Sequence, residues 1–112
     1  MMAPGERRLR VELHVHTYAS KDCLVKPKKL IQHCERIGID KVAITDHNVI
    51  EASLEAHALA PDRVIVGEEI ETTKGELIAY FMTEWVPPGL SPMEVIDRLR
   101  KQGALISIPH PF

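Results

Sequence analysis

The alternation of strand-like and helix-like stretches constrains the fold of this chain more than any other feature. The stretch "RLRVELHVH" has the character of a strand, and "KPKKLIQHCERIG" after it has apolar residues at helical spacing, with Pro27 in the first turn and Gly38 as a stop signal. The next stretch, "DKVAITDH", is a nearly continuous apolar run, which is typical of a strand covered on both faces. This alternation predicts an α/β fold with a mainly parallel sheet.

The second half of the chain continues the pattern, with one hairpin in it. Asn48 has the spacing of a helix cap before "EASLEAHALA", and Ser91 starts a capping box before "PMEVIDRLRKQG". Between these two predicted helices, "RVIVGEEIETT" and "ELIAYFMTEW" flank Lys74 and Gly75, which predicts a β-hairpin. The stretch "ALISIPHPF" is the last predicted strand.

Side chains that can bind metal ions stand at the predicted carboxyl ends of the strands. In α/β folds the reactive groups gather at these strand ends. His14 and His16 are two residues apart on a strand, so both imidazoles point to the same face. Glu68 and Glu69 are adjacent and face opposite ways, so the residues alone leave open which of them joins the histidines. The full set at these strand ends is His14, His16, Asp46, His47, Glu68, Glu69 and His110.

This mixture of imidazole and carboxylate groups indicates a centre for divalent transition-metal ions. Such donors suit Zn, Mn or Fe, whereas a calcium or magnesium site uses oxygen almost exclusively. An ion held this way lowers the pKa of bound water and polarises a phosphoryl oxygen, and two ions can clamp both sides of a displacement. A single His-x-His pair is a weak indication, because such pairs occur by chance at strand ends. The placement of candidate ligands at four strand ends favours the metal centre.

Four stretches resemble a known family. In order, "HVHTYASKD", "ITDHN", "GEEIETTKGELIAYF" and "ISIPHPF" are similar to the first four motifs of the PHP (polymerase and histidinol phosphatase) metal-dependent phosphoesterases. The resemblance implies α/β architecture made of (βα) units of a distorted, seven-stranded TIM-like barrel that is incomplete in this chain. It also implies two or three metal ions and hydrolysis of a phosphomonoester or phosphodiester, in a nucleotide or a small phosphorylated metabolite. Residues 1–112 would form a single PHP-like domain, as the N-terminal part of a longer one.

The resemblance also implies roles for individual residues. The ligands would be His14 and His16 for a first metal, Asp22 and His47 for a second, Glu69 as the bridge between them and His110 for a third. The catalytic residues would be His47 and Asp46, with Asp46 orienting ligands and fixing a tautomer. A capping or loop carboxylate is the alternative interpretation of Asp46.

Three departures from the family pattern matter. The first-motif aspartate often falls at the position that Lys21 occupies here, so Asp22 requires a one-residue shift of the loop. The family commonly has a histidine after the bridging glutamate, where this chain offers Glu76 as a substitute. The late Asp-x-His motif would lie beyond residue 112. The alternative function is therefore a truncated, non-catalytic metal-binding or scaffolding module, and an amidohydrolase-like reaction on a carbon centre is a third.

Composition and charge limit the classes of ligand and partner that we expect for this protein. The net charge is −2 and the basic residues are scattered, so no nucleic-acid footprint is indicated. No apolar run reaches membrane-spanning length, and Cys23 and Cys34 are too few for a disulfide framework, which favours the cytoplasm. We expect a small phosphorylated substrate or nucleotide as ligand. We also expect an oligomer that covers an open edge of the sheet.

Overall fold

A computed structural model of the chain describes residues 8–17 and 26–108, which form one five-stranded sheet with three helices. The predicted ligands Asp22 and His110, and also Cys23, lie outside the described residues. The elements are β1 (Val11–Val15), α1 (Pro27–Ile37), β2 (Lys41–Ile44), α2 (Glu51–Leu59), β3 (Val64–Thr72), β4 (Gly75–Tyr80), α3 (Pro92–Lys101) and β5 (Leu105–Ser107).

The sheet has the order β1-β2-β3-β4-β5 and curls into half a barrel. Strands β1, β2 and β3 are parallel, and β4 is antiparallel to both β3 and β5. Strand β5 therefore runs in the same direction as the first three, and these four strands have their carboxyl ends on one side. The predicted α/β fold with one hairpin is confirmed. The sheet is mixed rather than mainly parallel, because two of its four strand pairings are parallel and two are antiparallel.

Three of the predicted helix boundaries are formed by the expected chemistry. Pro27 opens α1, and Gly38 ends it in the left-handed conformation at φ 81°. The Ser91 side chain accepts a hydrogen bond from the backbone nitrogen of Glu94, 3.2 Å away, at the start of α3. No described helix is long and apolar enough to cross a membrane.

The prediction that Asn48 caps α2 is wrong. The cap position is Ile50, which makes no side-chain cap bond. Asn48 lies instead in the left-handed region at φ 60°, where a short polar side chain is tolerated. Its Oδ1 accepts a hydrogen bond from the backbone nitrogen of Glu71 at 2.8 Å, and its carbonyl accepts one from Trp85 Nε1 at 2.8 Å. The turn directly after His47 is therefore tied to β3.

Strand β4 ends earlier than the sequence predicted. It stops at Tyr80, because Phe81 adopts a positive φ of 63°. The backbone nitrogen of Met82 then donates to the carbonyl of Val66 at 3.0 Å, so the chain still follows β3 after the strand.

Alternate residues of β3 and β4 pack against the helices. Ile70, Leu77 and Ala79 belong to one buried cluster with Val95 and Leu99 of α3. A second cluster joins α1 and α2 to Val42 and Ile44 of β2 and to Val64 of β3. Because side chains alternate along a strand, the residues between these core positions face the other side of the sheet. That second face carries the candidate site.

Candidate metal centre

The two histidines at the end of β1 converge on one carboxylate. His14 Nε2 lies 3.4 Å from Glu69 Oε1, and His16 Nε2 lies 3.2 Å from Glu69 Oε2. The two imidazole rings meet edge to face, with centroids 5.1 Å apart. The sequence predicted that residues two apart would aim both rings at one point, and the structure brings them together in this way.

His47 is held beside the same carboxylate by backbone hydrogen bonds. The backbone nitrogen of Glu69 donates to the carbonyl of Asp46 at 3.0 Å, and that of Asn48 donates to the carbonyl of Glu69 at 2.9 Å. These bonds flank His47 and form an isolated parallel bridge between it and Glu69. His47 Nδ1 consequently lies 2.8 Å from Glu69 Oε2, and its ring centroid is 4.3 Å from that of His16.

Glu69 is the centre of the arrangement. Its residue exposure is only 3%, and both carboxylate oxygens face imidazole nitrogens. Its neighbour Glu68 lies on the opposite, helix-side face together with Ile70. The choice between the two glutamates, which the sequence left open, is therefore decided by which face of β3 packs against the helices.

The donor atoms fit divalent cations. The ligand atoms of His14, His16 and Glu69 all lie within 4.8 Å of one another, and so do those of His47, Glu69 and Glu76. Donors that bind one ion at about 2.1 Å lie roughly 3–4 Å from one another, so small side-chain movements suffice to enclose an ion. Imidazole nitrogen and carboxylate oxygen are donors that Zn, Mn and Fe accept. Glu69 belongs to both groups, as a bridging ligand does.

Asp46 forms hydrogen bonds to the residue that directly follows the histidine pair. It is fully buried, and it accepts hydrogen bonds from the backbone nitrogen and the Oγ1 of Thr17, at 2.5 and 2.6 Å. Thr17 follows His16 directly and is itself fully buried. These bonds favour the interpretation of Asp46 as a loop carboxylate that positions β1. Sequence reasoning missed Thr17, whose one signal was its place beside His16.

Glu68 has an unusual environment of its own. The residue is fully buried, and burial raises the pKa of its carboxyl group to about 8, although a hydrogen bond from the backbone nitrogen of Val86 opposes the shift. At neutral pH this side chain is therefore mostly protonated and uncharged. Glu68 and Glu69 thus differ in charge as well as in direction.

The fold and the site together define an α/β protein with a cluster of histidine and carboxylate side chains that could bind divalent cations. The chain belongs to the PHP domain family, whose model matches residues 12–101.

Three proteins are similar to this chain in amino-acid sequence. The chain is 37% identical over 117 residues to the uncharacterized protein MJ1587 of Methanocaldococcus jannaschii, covering 93% of this chain and 68% of that one. It is 44% identical over 105 residues to MJ0417 of the same organism, covering 93% and 40%. A DNA polymerase III of PolC type from Clostridium perfringens is 39% identical over 64 residues, which are 54% of this chain and 4% of the polymerase.

Among solved structures, the chain is similar to a proposed metal-dependent phosphoesterase from Bifidobacterium adolescentis. The TM-score is 0.54 at 23% identity, over 66% of this chain and 28% of the other. At this level of identity, the similarity supports a shared fold for the matched part of the chain and nothing more specific.

Proposed function

We propose that the chain carries the metal centre of a phosphoesterase that hydrolyses a phosphomonoester or phosphodiester. The observation that carries the proposal is Glu69, a buried carboxylate shared by two groups of metal-competent donors. Membership of the PHP domain family supports it. We further propose that the five strands belong to a seven-stranded TIM-like barrel, and that the substrate is a nucleotide or a small phosphorylated metabolite.

In this proposal the histidines divide between two metal positions. His14 and His16 would hold the first ion and His47 the second, with the Glu69 carboxylate shared between the two positions. Asp22 and His110 remain predicted ligands. When bound, divalent ions would supply an activated water molecule and Lewis acidity toward a phosphoryl oxygen.

The protein's own contribution is to fix these donors before an ion arrives. Backbone bonds on both sides of His47 set its distance from Glu69. Asp46 acts as a positioning residue, because its two bonds to Thr17 keep the end of β1 against β2. Preorganised ligands lose little freedom when the metal binds, which strengthens binding.

A non-catalytic metal-binding module is the second candidate. The side chains of His14 and His47 are 43% and 40% exposed, so the centre is open to water. Among the described residues, each donor group supplies three ligands. A centre of this kind can bind an ion without performing a reaction.

Hydrolysis assays with matched histidine variants separate the two candidates. Purified protein with Mn²⁺ or Zn²⁺ is assayed on aryl phosphate monoesters and diesters and on a nucleotide panel. The variant His14→Ala should lose about 100-fold or more of the activity, because it removes a ligand. The control His33→Ala changes an exposed histidine of α1 and should keep full activity. Full activity of His14→Ala would remove the proposal, and metal binding without hydrolysis would favour the non-catalytic module.

A further inference from the structure

Resting on the proposed function, we propose that Glu76 is a ligand of the second metal position. The carboxylate would join His47 and Glu69, making this position richer in oxygen than the one formed by His14 and His16. The second position would therefore discriminate less in favour of Zn²⁺ over Mn²⁺ than the first.

The register of the β3–β4 ladder places Glu76 on the correct face. Glu69 pairs with Ile78 and Glu71 pairs with Glu76. Directly paired residues project from the same face, and so do residues two apart on one strand. Glu69 and Glu76 are thus diagonal neighbours on the face opposite the helices. Diagonal neighbours on adjacent strands are within reach of each other when their side chains are long.

The donor atoms meet in the structure. Ligand atoms of His47, Glu69 and Glu76 lie within 4.8 Å of one another, and Glu76 is only partly exposed. Two carboxylates this close repel each other, and the repulsion grows as water is excluded. A divalent cation between them converts the repulsion into two attractions. The same atoms therefore form a better site for a cation than for a neutral ligand.

The two positions differ in donor chemistry. The first combines two imidazole nitrogens with one carboxylate oxygen, whereas the second combines one imidazole nitrogen with two carboxylate oxygens. Imidazole suits zinc, and carboxylate suits manganese and magnesium. Zinc remains the tighter binder at both positions by the general order of divalent affinities, so the inference concerns the ratio of the zinc and manganese affinities.

Metal titration tests the inference without any assay of activity. Metal-free protein is titrated with Mn²⁺ and, separately, with Zn²⁺, by calorimetry and by loss of the free Mn²⁺ magnetic resonance signal. Glu76→Gln should weaken Mn²⁺ binding at one position by about tenfold or more, because it removes a charged donor of similar shape. Glu76→His should restore a donor and shift the preference toward Zn²⁺ by about tenfold.

Glu71→Gln is the matched control. Glu71 pairs with Glu76 on the same face and is exposed, but it belongs to neither donor group. Its loss changes the charge equally and should alter Mn²⁺ affinity by no more than about twofold, since exposed charges act weakly. Circular dichroism of the metal-free variants checks the fold, and Glu76→His serves as the test if Glu76→Gln does not fold.

The outcomes are distinct. Unchanged Mn²⁺ binding by Glu76→Gln overturns the inference, and so does an equal loss in Glu71→Gln, because both results remove any special role of the Glu76 carboxylate. A Glu76→His variant with the parental zinc-to-manganese ratio also overturns it. If hydrolysis is absent while the Glu76 effects hold, the proposed function fails and the ligand assignment stands.

Discussion

Two adjacent glutamates of β3 have opposite environments because strand residues alternate between the faces of a sheet. Glu69 faces three imidazoles on the open side, and Glu68 is buried on the helix side. The sequence showed that one of them would join the histidines, but it could not show which. That choice depends on where the helices pack, and helix packing is a property of the whole sheet.

Glu68→Gln should stabilise the metal-free protein at neutral and alkaline pH. Folding raises the pKa of Glu68 from 4.5 to about 8, so the folded state holds a proton that the unfolded state releases. Stability present below pH 4.5 is therefore lost as the pH rises toward about 8, by up to a few kcal/mol. Glutamine has no such proton to lose. The free energy of unfolding of the variant, relative to that of the parent, should therefore rise between pH 4.5 and about 8 and stay constant at higher pH.

Urea unfolding in a metal chelator between pH 4 and 9 measures this difference. Glu71→Gln on the same strand is the control, because Glu71 is exposed and its change should give a nearly pH-independent difference. A stability gap between Glu68→Gln and the parent that stays flat with pH contradicts the prediction.

At the scale of the elements, Gly67 permits the close packing of β3 between its neighbours. A Cβ atom at this position would lie 2.7 Å from the carbonyl oxygen of Ala79 and 2.9 Å from Cγ2 of Thr45. Both distances are shorter than a Cβ atom normally makes, so the Ala79 backbone and the Thr45 side chain would have to shift. Gly67 therefore sets the spacing of the strands two residues before Glu69.

Gly67→Ala should lower the free energy of unfolding by about 1–3 kcal/mol, because crowded backbone atoms must move. The control is Gly103→Ala, where a Cβ meets open space and the strain comes from the positive φ of 75° alone. That control should cost about 1 kcal/mol. Urea unfolding compares the two, and a cost for Gly67→Ala no larger than that of the control would contradict the packing argument.

Asn48 and Ser91 share the same local cap pattern in the sequence, yet only Ser91 acts as a cap. The difference comes from tertiary contacts. The Asn48 side chain accepts a hydrogen bond from the backbone of β3, whereas the Ser91 side chain accepts one from the first turn of its own helix. Local spacing therefore predicted both helices correctly and one of the two caps wrongly. The same limit explains why β4 was predicted too long.

Asn48→Ala should weaken metal binding as well as stability. It removes the hydrogen bond to Glu71 and leaves alanine in a left-handed conformation, at a combined cost of about 2 kcal/mol. His47 precedes it directly, so Mn²⁺ affinity should fall severalfold. Ser91→Ala is the control and should cost about 1 kcal/mol with unchanged metal affinity. Mn²⁺ titration and urea unfolding of both variants give the comparison, and equal affinities would contradict a role of Asn48 in placing His47.

At the scale of the whole molecule, the five described strands leave two edges, β1 and β5. Val11 and Leu13 on β1 and Leu105 on β5 are exposed apolar residues. Unpaired edges with apolar side chains favour pairing with another chain. The sequence predicted the class of fold from local patterns, but not the order of strands, which depends on contacts between distant segments.

Val11→Lys should reduce self-association of the protein, because a lysine on an edge strand opposes pairing with a second strand. Sedimentation velocity over a range of concentrations measures it. Leu59→Lys is the control, since Leu59 is equally apolar and exposed but lies at the end of α2. Association that is unaffected by Val11→Lys, or reduced as much by Leu59→Lys, contradicts the predicted use of the β1 edge.

The contact between His16 and Glu69 joins residues 53 positions apart in the chain. An unfolded polypeptide would bring such distant groups together only rarely, so the proposed metal centre exists only while the sheet is folded. A divalent ion bound at the proposed centre would therefore stabilise the folded chain by mass action, and the free metal concentration would set part of its stability.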